Sequence, residues 1–422
     1  MKNKEVIENS YELNIIKELI KAYPETTWLV GDVDFTPESF KTLKNDQTYG
    51  QIFFSNSSEE QLKEFDRTIL SVLLYYYLRD NMYDKFTENQ QNLLKLSKET
   101  FNSLRNNILK VIDTKEKETL LIYYLIINDI GKTKEMIEML KPYGIETIDH
   151  DLVLKHLLEL NLLPSINKFQ KDFKDNVINI LNNGINFAQF IQGECTCYSF
   201  DSLNKLSDFE KNLMTIEAVL DISGALGHIN QKGSIILNQP TADNFMLGMK
   251  IISEEKDIKN IFLTFLKEKA KQININIEDE KIRNAITRIC LMMRLSDAND
   301  ISAVVNEISN NKKDYLTLID EFNQTGYDKI PAILLYYAPA TLSNAVKYYK
   351  NNVDQNSIEK ALKVCLPFIQ NIMVQTRKIL KKKENGIITI MLREAAMISM
   401  QDPAKLAFMT LKIINDNEAI VN

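Results

Sequence analysis

Residues 121–136 read LIYYLIINDIGKTKEM, and the reading of this stretch decides the fold. Apolar and aromatic residues run unbroken from Leu121 to Ile127, without the strict alternation of a half-buried strand. This predicts a buried helix over 115–128, most apolar at 119–127, that ends in Asn128-Asp129-Ile130-Gly131-Lys132. Gly131 suits a helix end. Asp129 then sits at the negative end of the helix dipole, where an acid is disfavoured unless a cation stands beside it. Lys132 or a bound metal would supply that cation; an ordinary polar turn is the plainer alternative.

Helical spacing continues on both sides. Leu13, Ile16, Leu19 and Ile20 share one face of a helix over 11–22. Segments 59–82, 88–112, 133–141, 150–161 and 165–183 follow, then 241–252, 255–272, 277–296, 299–311 and 312–324. Further helices are expected over 331–350 with a kink at Pro339, over 356–382, and as a pair over 387–416 after a turn at Asn385-Gly386. One short extended piece is expected at 27–30 (TWLV), and a polar linker over 32–58. The chain has only 12 Gly and 9 Pro, few turn formers for many short strands. The expected fold is all-α: a helical core over 59–311, an N-terminal helix and irregular arm over 1–58, and a C-terminal helical block over 312–422. Six glycines fall between Gly184 and Gly248, where the backbone must turn or approach something closely.

The composition excludes several classes. The chain has 422 residues, 45% of them hydrophobic and 26% charged, as in ordinary globular proteins. Lys+Arg is 51 against Asp+Glu 57, a net charge of −6, which argues against a general nucleic-acid binder. Glu5 and Glu8 interrupt the first residues and no apolar segment follows, so no cleaved secretory signal is expected. The most apolar stretch, 68–78 (TILSVLLYYYL), is too short to span a bilayer, which takes about 20 residues. The cysteines are Cys195, Cys197, Cys290 and Cys365. Cys-x-Cys lacks the second pair of a structural zinc site, and free thiols in a reducing cytoplasm are expected. Export by a specialised secretion system stays open. Lys381–Lys383 reads as a solvated helix end. Tyr75-Tyr76-Tyr77 and Tyr336-Tyr337 read as core.

Histidine is scarce, and only His150, His156 and His228 could build an imidazole site. In Thr147-Ile148-Asp149-His150-Asp151, Asp149 reads as an N-cap, which leaves His150 and Asp151 as ligand candidates. His156 faces elsewhere on the same helix and reads as a packed or surface residue. In LDISGALGHINQKGS, Asp221, Gly224, Ala225 and His228 occupy i, i+3, i+4 and i+7, one helical face with a notch for a ligand or another helix. Arg294, Asp297 and Asp300 form a charged cluster at the end of an apolar run, and an ordinary salt bridge is the alternative there.

The order of these segments resembles the HD-domain metal-dependent phosphohydrolases, all-helical proteins with a His-Asp doublet at a helix end, further histidines and a late Asp. Asn128-Asp129-Ile130-Gly131-Lys132 looks like their His-Asp-Ile-Gly-Lys segment, His150-Asp151 and His228 like the intervening ligands, and Arg294-Leu295-Ser296-Asp297-Ala298 like the late Asp on its helix. The chain is also similar to an uncharacterised helical family of fungi and bacteria. The matching segments are Asp149-His150-Asp151, Gln192-Gly193-Glu194 and Gly224-Ala225-Leu226-Gly227-His228. The resemblance covers roughly residues 110–300. Asn128 stands where the doublet has His, and no histidine precedes residue 150.

The resemblance implies a metal-dependent phosphohydrolase acting on a phosphate ester or nucleotide-like molecule. A divalent ion (Mn²⁺, Mg²⁺ or Fe²⁺) would sit on Asp129, His150, Asp151 and Asp297. Lys132 and Arg294 would stabilise phosphate, and His228 would serve as acid or base. The missing histidines support a different class, a catalytically degenerate helical interaction protein or a secreted bacterial effector with a protein partner. A third option, a prenyl-diphosphate enzyme, rests on Asn299-Asp300 and Glu307. Ala303 stands where that motif needs Ser or Thr.

Overall fold

The computed structural model describes residues 11–31, 47–54, 57–147, 149–169, 171–352, 356–379, 385–415 and 417–422. The expectations for the first ten residues, for most of the 32–58 linker and for Lys381–Lys383 lie outside these. The described residues are mostly helical, with 68% helix and 5% strand. They form two compact units that interleave along the chain. The first is Met1–Gly184 with Lys205–Met246, and the second is Ile185–Asn204 with Leu247–Asn422. No described helix is long and apolar enough to cross a membrane. All four cysteines are buried and unpaired.

The first unit is built around the helix Glu59–Arg79. Ser58 starts it with a capping box: its hydroxyl accepts from Gln61 N, and Gln61 Oε1 accepts from Ser58 N at 2.9 Å. Phe65, Ile69, Val72, Leu73 and Leu74 are completely buried along it; of the tyrosines expected in the core, Tyr75 and Tyr77 are buried and Tyr76 is half-buried. Helices Lys98–Val111, Lys115–Asn128 and Asp208–Gly224 pack against it. Asp208–Gly224 has its own capping box, with Glu210 Oε2 accepting from Ser207 N at 2.7 Å.

Gly224 and Gly227 permit that last packing. A Cβ on Gly224 would lie 2.1 Å from Ser71 Oγ and 2.5 Å from Arg67 O, and one on Gly227 would lie 2.3 Å from Asp66 O. The notch therefore receives another helix and no ligand. The four-residue face is also corrected. The helix stops at Gly224, Ala225 caps it, and His228 lies in the following turn, where Gly227 N donates to Gly224 O and Ile229 N to Leu226 O. Two glycines within four residues cannot sustain the helix against that turn.

The strand expected at 27–30 is absent. Glu25–Trp28 is a helical turn started by Pro24. The buried Glu25 carboxylate accepts from Tyr123 Oη, Ser165 N and Ser165 Oγ at 2.6–2.8 Å, which holds the turn in place.

The second unit adds a small sheet to the mostly helical fold that was expected. Beside its helices stands a sheet of β1 (Ala332–Tyr336), β2 (Ile387–Met391), β3 (Leu411–Asn415) and β4 (Glu418–Val421) in the order β1-β2-β4-β3. The pairs β1–β2 and β2–β4 are parallel; β3–β4 is antiparallel. Ala332 pairs with Ile387, and the crossover between those strands runs through Ala338–Asn352 and Ser357–Ile379. The segment 331–350 was expected as one helix because a five-residue apolar run does not separate strand from helix by period. The segment 387–416 was expected as a pair of helices; Arg393–Gln401 is an α-helix and Pro403–Phe408 a 3-10 helix, but Ile387, Ile388, Thr389 and Ile390 carry strand-type β-branched side chains and form β2. Pro339 does not kink a helix; it lies in the first turn of Ala338–Asn352. Tyr337, expected in the core, is 39% exposed and takes φ +68° at the junction of β1 and that helix.

One buried guanidinium organises the segment 192–197 of this unit. Arg288 is 1% exposed and donates to Gly193 O, Cys195 O and Phe322 O at 2.8, 2.8 and 3.2 Å. Its guanidinium lies 4.4 Å from the centre of the Phe322 ring. Burial pushes its pKa down to about 10. The adjoining Glu194 carboxylate is buried and accepts the backbone N–H of Tyr337. Burial pushes it up to about 7, against the opposing pull of that hydrogen bond and of Arg288 and Arg294.

Two outcomes are expected. Gly224→Ala should lose about 2 kcal/mol or more of stability in denaturant unfolding, because backbone atoms cannot yield to the new methyl. Glu194 has a folded-state pKa above its unfolded one, so its effect favours folding at low pH and is lost as pH rises from about 4.5 to 7. Thermal melts between pH 5 and 8 should show this decline, with a ceiling of about 3 kcal/mol. Glu194→Gln should flatten it.

Candidate functional site

Helix Lys115–Asn128 ends as the sequence suggests, with Asp129 as its last cap and a 3-10 turn over Ile130–Lys132. Gly131 serves another purpose than the expected one. It has no left-handed backbone; it lies beneath the start of helix His150–Glu159, where a Cβ would be 2.3 Å from His150 O. That close approach sets His150 and Asp151 beside Asp129 and Lys132. Asp149 caps the helix, its Oδ1 accepting from Asp151 N and Leu152 N at 3.0 and 3.2 Å.

Asp129 is 3% exposed. Lys132 Nζ lies 2.6 Å from its Oδ1 and 3.3 Å from Glu64 Oε2. The cation required at the helix end is thus Lys132. Asp129 Oδ2 is buried and has no hydrogen-bond partner. His150 Nε2 lies 3.3 Å from Asp151 Oδ1, with both side chains partly exposed. Asn128, where the resembled doublet has His, donates from Nδ2 to Glu217 Oε1 at 2.7 Å.

Glu217 and Asp221 come from one face of Asp208–Gly224. Burial, and then the charges of Asp221, Asp129 and Asp151, push the Glu217 carboxyl far above the ordinary range; Lys132 opposes this. Burial also raises Asp221, against the pull of Arg67 and Lys132. Burial disfavours the charges of Lys132 and Arg67, but neighbouring carboxylates outweigh it. Asp129 and Glu64 keep Lys132 above its usual range, and Glu64, Asp221 and Asp129 do the same for Arg67. Arg67 Nη1 is 3.1 Å from both oxygens of Glu64. Burial, followed by Lys63 and Arg67, lowers the His228 imidazole.

The first unit therefore brings Asp129, Lys132, His150 and Asp151 into one cluster, and His228 lies near its Arg67. Arg67, Glu64 and Glu217 were not singled out from the sequence. They sit on amphipathic helices whose charges read as solvated faces, and only the burial of Glu217 distinguishes it. The remaining expected residues belong to the second unit. Asp297 is the N-cap of helix Ala298–Asn310, its Oδ1 accepting from Asn299 N and Asp300 N at 2.8 and 3.2 Å; it makes no salt bridge among the described residues. Arg294 Nη2 donates to Gln192 Oε1 at 2.9 Å. Glu307 accepts from Tyr315 Oη at 2.9 Å. His156 Nδ1 lies 3.2 Å from Glu159 Oε2 in the first unit, the surface role expected of it.

Gly131→Ala tests the construction of the cluster. The methyl would meet a carbonyl oxygen on a second helix, so the melting temperature should fall by about 5 °C or more. A melt unchanged from the parent would show that the approach does not constrain the site.

Residues 31–403 match the model of a family of unknown function, DUF6829. No curated protein and no solved structure matches the chain. The family match spans most of the 422 residues, and the chain belongs to the DUF6829 family.

Proposed function

We propose that the first unit carries a divergent HD-like phosphohydrolase site whose substrate is a phosphate ester or nucleotide-like molecule. The observation behind this reading is the meeting of Asp129, Lys132, His150 and Asp151 with Glu217 and Asp221 around a buried carboxylate that has an unsatisfied oxygen. A structural ion pair needs no such surplus of acids, since each added buried charge costs folding free energy. Proton-transfer sites commonly hold carboxylates whose pKa values differ in this way. Lys132 would neutralise phosphoryl oxygens. Glu217, whose carboxyl burial and neighbouring acids push far above the ordinary range, would give a proton to the departing oxygen as that P–O bond breaks. Water would form the new P–O bond and pass its proton to an ionised carboxylate of the cluster.

The resemblance also implies a divalent ion on Asp129, His150 and Asp151. The residues as they stand do not fit one: among the described residues no three His, Cys, Asp or Glu side chains are arranged to hold an ion, and the Lys132 ammonium occupies Asp129 Oδ1. The proposed steps therefore use protein groups alone. The Lys132–Asp129 pair also favours a second reading, a catalytically degenerate helical protein that binds a phosphorylated ligand or a protein without turnover.

Metal analysis of the purified protein, with a panel of phosphomonoesters and phosphodiesters assayed with and without Mn²⁺, separates these readings. We expect turnover of at least one ester, reduced about 100-fold or more in an Asp129→Ala/His150→Ala double variant. Stoichiometric metal that disappears in the variant would return Asp129, His150 and Asp151 to ligand roles. No turnover under any condition would leave the second reading.

A further inference from the structure

Three of the buried side-chain atoms without a hydrogen-bond partner belong to groups around one point of the helix Glu59–Arg79: Arg67 Nε, His228 Nδ1 and Asp129 Oδ2. Buried polar groups normally find partners, so a guanidinium N–H and an imidazole nitrogen both left without one call for an explanation. The backbone segments that carry these two side chains lie against each other. Gly224 lies against Arg67 O and Gly227 against Arg67 Cα, so the 224–228 turn sits on the Arg67 backbone and carries His228 with it. Arg67 and Lys63 are among the charges that depress His228, which favours a neutral imidazole able to present an N–H at Nδ1. Glu64 occupies Arg67 Nη1 but leaves Nε free.

We propose that Arg67 Nε and His228 Nδ1 are the anion-binding pair of this site and receive two oxygens of a phosphoryl group. Guanidinium suits a phosphate better than an ammonium does because its donors are fixed in a plane. The pair assigns His228 a binding role, and it supplies the second cation that Arg294, a residue of the other unit, was expected to give. The choice of phosphate over other anions rests on the phosphohydrolase reading; the pair of unsatisfied nitrogens does not.

Calorimetric titration of the full chain with inorganic phosphate tests the pair. Arg67→Lys keeps the charge and can keep the Glu64 contact while removing the Nε donor, and His228→Asn alters a turn residue outside the helices. Each should weaken phosphate binding about ten-fold, or about 1.4 kcal/mol, with the melting temperature close to the parent's. Phosphate binding unchanged in both variants overturns the proposal, and so does a parent that binds no phosphate. If either variant is destabilised, the other carries the test. Ester turnover with an unchanged KM in Arg67→Lys would sink the pair and leave the hydrolase reading standing. Phosphate binding that is weakened in both variants, without turnover of any ester, would support the pair and remove the hydrolase.

Discussion

Helix Asp208–Gly224 can rest on helix Glu59–Arg79 only because no side chain stands between Gly224 and the Arg67–Ser71 backbone. Glycine in a helix costs about 1 kcal/mol relative to alanine. The cost is offset by burial, since Val219, Leu220 and Ile216 on the same helix are completely enclosed. The close contact also fixes the polar residues. It places Asp221 in the field of Arg67, sets Glu217 one turn earlier against Asn128, and lays the His228 turn over Arg67. A second contact without a Cβ, Gly131 under His150 O, brings the other half of the cluster to the same place.

The cluster is then a problem in charge. Carboxylates drawn together out of water raise one another's pKa values, and a cation lowers them again. Lys132 bridges Asp129 and Glu64, and Arg67 pairs with Glu64 while facing Asp221 and Asp129. Among the described residues Glu217 makes no salt bridge, and it takes an amide N–H instead. Its carboxyl is accordingly pushed far above the ordinary range, by burial first and then by the neighbouring acids. An acid whose proton affinity is raised by its position beside other carboxylates has the division of labour that acid–base chemistry uses.

The second unit solves a similar problem without carboxylate contact. Arg288 is enclosed and satisfies its donors with the carbonyls of Gly193, Cys195 and Phe322 and its face with an aromatic ring. A delocalised guanidinium tolerates this better than a compact ammonium would. The carbonyls it gathers hold the segment from which Glu194 reaches the N–H of Tyr337, at the turn from β1 into its helix.

The sequence by itself determined the local features whose causes are local. The apolar run 121–127 made a buried helix, Asp149 became the cap of its helix, and Asp129 needed a cation that Lys132 supplied. The candidate residues Asp129, Lys132, His150 and Asp151 were legible as short polar motifs at helix ends. The sheet was not, because β1 is a five-residue apolar run and its partners lie 55 and more residues further on, at Ile387 and beyond. Nor were Arg67 and Glu217, since a charged residue on an amphipathic helix looks the same whether its face meets water or another helix. Tertiary structure alone decided that the Gly224 notch receives a helix, that His228 leaves the helical face, and that three unsatisfied polar atoms lie around Arg67. The physical reason is that caps and helix dipoles act within a few residues, whereas burial and electrostatic fields depend on which distant segments come to lie alongside.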